Sequence, residues 1–184
     1  MKKNPDRTCP WWLLPTFDNP LRKLIHDPQQ ILTPYVHPGD TALDVGCGMG
    51  YFSLTLARLV GPSGRLIAAD VQPQMLDGLR RRATRAGLLD HIQTLPSSPE
   101  RIGLDCALDF ALAFWMVHEV RKPQPFLQEI YTALKPGGRL LVVEPFIHVT
   151  GKVFELTVSL AERLGFSVQD RPPVRLSRAV LFGK

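Results

Sequence analysis

The stretch "TALDVGCGMGYF", Thr41 to Phe52, combines a carboxylate with a glycine-rich turn at the end of an apolar run. Asp44 stands two residues ahead of Gly46, and Gly48 and Gly50 follow at alternate positions. Glycines let a backbone turn sharply and approach a ligand without a Cβ clash. The spacing is not the dinucleotide fingerprint G-x-G-x-x-G, because Tyr51 takes the place of its third glycine. No Lys-Ser/Thr follows, so a Walker loop is excluded as well. A carboxylate beside such a turn repels phosphate and welcomes an ammonium or a sulfonium. The ligand implied is a nucleoside carrying an amino-acid cation. A second acid, Asp70, ends "RLIAAD", where a carboxylate takes ribose hydroxyls. A further group, His118, Glu119, Glu144 and His148, follows two later apolar runs and includes residue types that move protons.

These residues need elements to hold them. From residue 40 onward apolar runs bounded by turn residues alternate with helical patterns. The runs Thr41–Val45, Arg65–Asp70, His91–Leu95, Leu108–Phe114 and Arg139–Phe146 read as buried parallel strands. Tyr51–Val60, Pro73–Ala86, Pro125–Leu134 and Val153–Leu164 read as helices. In the third of these, Phe126, Ile130 and Leu134 share one face. Gly137 and Gly138 are expected to stop that helix and release a strand. "FSVQDRPPVRL" and "SRAVLFGK" read as a closing pair of strands, and "PSSPERIGLDCA" leaves room for one helical turn. The alternation predicts an α/β fold, a Rossmann-like doubly wound sheet of mainly parallel strands.

Residues 1–38 differ, being rich in proline and aromatics. Asn19 with Pro20, and Asp27 with Pro28, each read as an N-cap followed by proline at the first helical position. They predict a short helical and aromatic lid against a domain spanning 39–184. Trp11, Trp12 and Phe17 suit a lid that excludes water, a clamp onto the core, or a weak membrane contact. Arg22 and Asn19 are placed to reach a ligand carboxylate from this lid. His26 and His37 are read as surface or lid residues.

Bulk properties narrow the classes. The chain has 184 residues, 45% hydrophobic and 21% charged, as for a single globular domain. No apolar run reaches membrane-spanning length, and Trp11 to Leu14 is too short for a signal-peptide core, so a cytoplasmic protein is expected. Cys9, Cys47 and Cys106 show no metal or disulfide spacing, and the histidines no H-x3-H pattern, so no metal is expected. Net charge is +5, which raises nucleic acid as a partner. Yet Arg80, Arg81, Arg82 and Arg85 fan around a helix instead of forming a stripe, so a solvated face is the simpler reading and nucleic acid is not expected.

Taken in order, "ALDVGCGMG", "LIAADVQPQML" and "LKPGGRLLVVE" resemble the first, second and fifth-strand motifs of class I S-adenosylmethionine-dependent methyltransferases. The resemblance runs from about Pro38 to the C-terminus. "LDFALAFWMVHEV" is similar to the fourth strand of that family and its following turn. "VHEV" and "EPFIHV" look like the group that includes the quinone-pathway and arsenite methyltransferases. The resemblance implies seven strands with an antiparallel last one, S-adenosyl-L-methionine as cofactor, and methyl transfer as the activity. It implies that Asp44 holds the methionine amino group, directly or through water, and that Gly46, Cys47, Gly48 and Gly50 line the methionine and ribose. Asp70 would take the ribose diol, Val71 and Met75 would pack on adenine, and Ala113 and Phe114 would flank the methionine. Ser97 and Ser98 stand where the family often carries an acid for the adenine amine.

A small-molecule acceptor is expected, since little chain separates Glu144 from Gly165 for a large cap. His118, His148 and Glu144 are the candidates for proton transfer. His118 reads either as a general base or as a structural histidine on a turn backbone, and Glu144 either as a participant or as a helix or loop anchor. Cys47 reads as a space filler, and only Cys9 could reach a methyl donor, which disfavours thiol-dependent metalloid chemistry. No D/N-P-P-Y/F turn follows the fourth strand. The rivals are an RNA or protein methyltransferase using the basic surface, and a non-catalytic cofactor-binding subunit. The chain is read as a monomer or homodimer.

Overall fold

In the computed structural model, residues 25–184 are described. Helix α1 (Pro28–Leu32) starts as its residues require: the Asp27 side chain accepts from the Gln29 N–H at 2.9 Å and Pro28 needs no partner. The Asn19–Pro20 start lies outside the described residues.

Then follow β1 (Thr41–Val45), α2 (Ser53–Val60), β2 (Arg65–Asp70), α3 (Pro73–Arg85), β3 (Ile92–Pro96) and β4 (Leu108–Phe114). The chain closes with α4 (Pro123–Ala133), β5 (Leu134–Pro145), α5 (Gly151–Arg163), β6 (Ser167–Asp170) and β7 (Ser177–Gly183). The seven strands lie in the order β3-β2-β1-β4-β5-β7-β6. β7 runs antiparallel to both of its neighbours, and the other pairings are parallel. The Rossmann-like sheet with an antiparallel final strand is therefore as expected.

Strand alternation divides the core in two. Phe110, Leu112 and Phe114 of β4 join Leu141 and Val143 of β5 on the face covered by α2 and α3. Ala111, Ala113, Leu140 and Val142 face α4 and α5 through Leu127, Ile130, Phe154 and Val158. Leu108 packs on the second face despite its even spacing from Phe110, because a register shift separates the two. Burying each Leu or Phe contributes about 1.5–3 kcal/mol, so both faces hold the strand ends rigidly.

Two local expectations change. α4 ends at Ala133, before the glycines, and the strand ladder begins at Leu134, paired with Leu108. The segment 97–107 contains no helix. Instead the Glu129 carboxylate of α4 accepts the N–H groups of Ile102, Gly103 and Leu104 at 2.7–3.0 Å, replacing bonds that a helical turn would make. Among the described residues no helix is long and apolar enough to cross a membrane.

The chain order reverses at β1, whose neighbours are β2 and β4. In such sheets the crevice at the carboxyl ends of those strands receives the ligand.

Candidate functional site

At the carboxyl end of β1 the chain turns through Gly46, Gly48 and Gly50, all left-handed with φ +71°, +54° and +86°. Only glycine takes such values without strain. The Gly46 and Cys47 N–H groups donate to the Ala69 carbonyl at 2.8 and 3.1 Å, clipping the loop to β2. Arg82 of α3 donates to the Met49 carbonyl at 3.0 Å and holds its outer side. A Cβ on Gly50 would strike Leu79 and one on Gly46 would crowd Met116, whereas one on Gly48 would meet nothing within 4 Å. The loop is packed at both ends and open at its middle glycine.

The two acids flank this loop in the chain fold and have different partners. Asp44 is 3% exposed, and the Ser53 hydroxyl at the start of α2 donates to it at 2.5 Å. Asp70 accepts the Gly48 N–H at one oxygen and the Gln72 N–H at the other, each at 2.9 Å. Burial raises the Asp70 pKa, opposed by hydrogen bonds from the Gln72, Gly48 and Val71 N–H groups. Val71, immediately beyond, is 38% exposed and offers an apolar surface next to the acid. Burial, with Asp44 and Asp70 nearby, pushes the Cys47 thiol well up, so it remains a neutral filler and no nucleophile.

Other candidates stand differently. Met75 is 2% exposed, because its phase on α3 turns it inward, whereas Val71 is 38% exposed. The Ser98 hydroxyl is tied to its own turn, accepting from the Glu100 and Arg101 N–H groups. Ser97 donates its N–H to the Asp70 carbonyl at 3.0 Å, which holds it beside the β2 end. Ala113 is fully buried, and Phe114 packs against Phe52 with ring centroids 4.2 Å apart.

A second group forms at the ends of β4 and β5. Trp115 takes φ +58°, a left-handed value for a bulky residue, and is held there by its N–H to Val143 O at 2.7 Å and its indole N–H to the Ser177 hydroxyl. That turn aims Met116 at Gly46 and places Val117–Glu119 over the end of β5. Glu144, 2% exposed, accepts the Val117 N–H at 3.0 Å and the His118 N–H at 3.2 Å, and lies 2.7 Å from His118 Nδ1. The carboxylate is thus both the loop anchor and the partner of the ring. The His148 ring stacks on His118, with centroids 5.7 Å apart and planes within 13°. His118, His148 and Glu144 are brought together, while Glu119 faces solvent on the same turn.

His26 is a correction to any surface reading, being 1% exposed. Its ring meets Phe114 and Trp115 edge-on, its Nε2 lies 2.7 Å from the Arg175 carbonyl, and its own carbonyl accepts the Tyr51 hydroxyl. His37 is on the surface, within 3.7 Å of Asp40. Ser53, Trp115 and Met116 escaped the sequence reading, and Arg82, read there as part of a solvated face, braces the loop instead. Ser53 had one available signal, a hydroxyl three residues past the glycine turn at a helix start. Trp11, Trp12, Phe17, Asn19 and Arg22 lie outside the described residues. Among the described residues no group of three His, Cys, Asp or Glu side chains could hold a metal ion.

The donor set suits a nucleoside with a cationic amino-acid tail: two carboxylates, an open glycine and an exposed aliphatic surface along one crevice. Comparison with known proteins agrees. A family model described as "Methyltransferase domain" matches residues 43–142. The chain is 31% identical over 123 residues to the ubiquinone/menaquinone biosynthesis C-methyltransferase UbiE of Pasteurella multocida, covering 65% of this chain and 46% of that protein. It is 38% identical over 112 residues to an uncharacterized 37.1 kDa protein in transposon TN4556 of Streptomyces fradiae, covering 59% of this chain and 31% of that protein. The chain therefore spans less than half the length of these two curated relatives. Among solved structures, a SAM-dependent methyltransferase from Aquifex aeolicus superposes with a TM-score of 0.86 at 26% identity, covering 96% of this chain and 99% of that one.

Proposed function

Since the chain belongs to the methyltransferase-domain family and has the class I S-adenosylmethionine-dependent methyltransferase fold, we propose that it transfers a methyl group from S-adenosylmethionine to a small-molecule acceptor. One observation carries the reading: the glycine loop with Asp44 and Asp70, and the His118–Glu144 pair, lie at the same carboxyl edge of the sheet. S-adenosylmethionine, when bound, supplies a methyl group already activated on a sulfonium.

The chain's own residues then have separable tasks. Asp44 holds the amino group of the methionine part, and the Ser53 hydroxyl keeps its carboxylate aimed. The backbone of Gly46, Cys47, Gly48 and Gly50 lines the cofactor. Asp70 accepts the ribose hydroxyls, with Val71 against the base and Ser97 near its edge. Ala113 and Phe114 close the methionine side, and Phe114, Trp115 and His26 exclude water there. On the acceptor side, Glu144 accepts from Nδ1–H of His118 and so selects the tautomer in which Nε2 is basic. His118 takes the acceptor's proton as the nucleophile attacks in line. Glu144 acts through His118 and is a positioning residue, and His148 fixes the ring's plane by stacking.

The test is a radiolabelled methyl-transfer screen of small hydroxyl, amine and activated-carbon acceptors. With an acceptor found, His118→Asn is expected to lower kcat by about 10²–10⁴ and remove the acidic limb of the pH profile, with S-adenosylmethionine affinity kept. Retention of kcat within about threefold would leave alignment alone as the source of rate and end the general-base role.

A further inference from the structure

The carboxyl edge of the sheet exposes more apolar surface than the proposed reaction uses. Ile147 is 87% exposed, Leu156 62%, and Phe146, Val153 and Leu176 are about half exposed. They are not scattered. The Phe146 N–H donates to the Leu176 carbonyl at 3.1 Å, so the β5–α5 loop and the turn leading into β7 are neighbours. Val153 and Leu156 lie one turn apart on the outer side of α5, which begins directly after that loop. Its inner side, Phe154 and Val158, is in the core, so among the described residues the outer pair serves no packing role.

Exposed charge around this face is mainly basic. The three segments 115–122, 146–152 and 171–178 carry Arg121, Lys122, Lys152, Arg171, Arg175 and Arg178 against Glu119, with Glu155 and Asp170 the exposed carboxylates beside them. Some of these cations have tasks: Arg171 pairs with Glu155 of α5, and Arg178 lies over the Phe146 ring, 4.5 Å from its centroid, and donates to the Val149 carbonyl. Lys122, on the loop before α4, and Lys152, in the first turn of α5 beside Val153, are exposed. An apolar centre with a lysine and arginine rim matches the apolar interior and anionic headgroups of a bilayer surface.

We propose that the face formed by Phe146, Ile147, Val153, Leu156 and Leu176, with its basic rim, docks on an anionic lipid bilayer. Ile147 and Phe146 enter the acyl boundary, and Lys122 and Lys152 contact headgroup phosphates. Docking places the mouth beside His148, which shares the loop with Ile147, against the membrane. The interaction belongs to the surface and does not depend on methyl transfer.

The test is co-sedimentation of the full chain with vesicles of phosphatidylcholine containing a third phosphatidylglycerol, beside pure phosphatidylcholine. Binding is expected to the anionic vesicles only, weakening severalfold between low and high salt. Ile147→Asp with Leu156→Asp is expected to reduce it at least tenfold. Lys122→Gln with Lys152→Gln is expected to reduce it by about fivefold per lysine. Both pairs are exposed, and unchanged thermal unfolding and S-adenosylmethionine binding separate lost docking from lost folding or a failed cofactor site. The proposal is overturned by wild-type protein that stays in the supernatant, by variants that sediment equally, or by loss of binding only in Trp11→Ser/Trp12→Ser. It is also overturned by an ultracentrifuge result in which the aspartate pair dissociates a dimer, since the face would then meet a second copy of the chain.

Discussion

Alanine at Gly50 and at Gly48 should separate two demands on the glycine loop. Both positions are left-handed, so each alanine carries a backbone penalty of about 1–2 kcal/mol. Only at Gly50 does the new methyl strike a neighbour, Leu79, which is fully buried on α3 and cannot swing aside. Overpacking adds about 1–3 kcal/mol there, so Gly50→Ala should lose about 2–5 kcal/mol and Gly48→Ala about 1–2 kcal/mol. Affinity should rank the other way for each unit of stability lost. The Gly48 methyl projects into the space the loop leaves open and should weaken S-adenosylmethionine binding at least tenfold in a protein that remains folded. Leu79→Ala alone should cost about 2–5 kcal/mol as a cavity, but in the Gly50→Ala background part of that volume is filled. The double variant should therefore be at least about 1 kcal/mol more stable than the sum of the singles. Urea unfolding followed by circular dichroism reads the stabilities, with constant m-values as the control. Equal losses at Gly48 and Gly50, or strict additivity with Leu79→Ala, would refute the close approach of α3 to this loop.

Three further outcomes follow from the same geometry. Asp70 has its pKa raised above the ordinary 3.8 by burial, so acidification should protonate it earlier than a free carboxylate. S-adenosylmethionine affinity should fall as pH drops through that raised value, and calorimetric titrations across pH should show no such step in Asp70→Asn. The sign for stability is opposite: between the unfolded and the raised folded pKa the native state binds the extra proton, so this group's contribution to stability declines as pH rises through that window. Glu129→Gln should destabilise by about 1–3 kcal/mol and speed amide exchange at Ile102, Gly103 and Leu104, because one amide oxygen cannot serve three donors as the carboxylate does. Ser53→Ala should weaken S-adenosylmethionine binding by about three- to tenfold, as read by calorimetry, and destabilise by about 1–3 kcal/mol, because the buried Asp44 carboxylate loses a donor that aims it.

Strand ends and their acids were legible because buried parallel strands are apolar runs cut off by turn residues. Thr41–Val45, Arg65–Asp70 and Leu108–Phe114 have the bounds read from sequence. Asp44 and Asp70 consequently fall at the edge that chemistry requires. What stayed hidden depends on groups far apart in the chain. Glu129 organises residues 102–104 from another helix, and nothing local marks a carboxylate that replaces a helical turn. His26 is buried through a carbonyl at Arg175 and rings at Phe114 and Trp115, all distant in sequence. Leu134 enters the β5 ladder through one pairing before a register shift, too short a signal for periodicity to detect. The two readings of Glu144 were not exclusive, since one carboxylate has enough lone pairs to anchor the turn and orient His118 at once.

The central claim is that the crevice at the ends of β1 and β2 binds S-adenosylmethionine through Asp44 and Asp70. Its most direct test is calorimetric titration of the full chain with S-adenosylmethionine and with its demethylated product, beside Asp44→Ala and NAD. The account predicts affinities of about 1–100 μM for the first two ligands, loss of both in a folded Asp44→Ala protein, and no heat with NAD. A folded wild-type protein that binds neither ligand, or an Asp44→Ala protein that binds both as well as wild type, would contradict it.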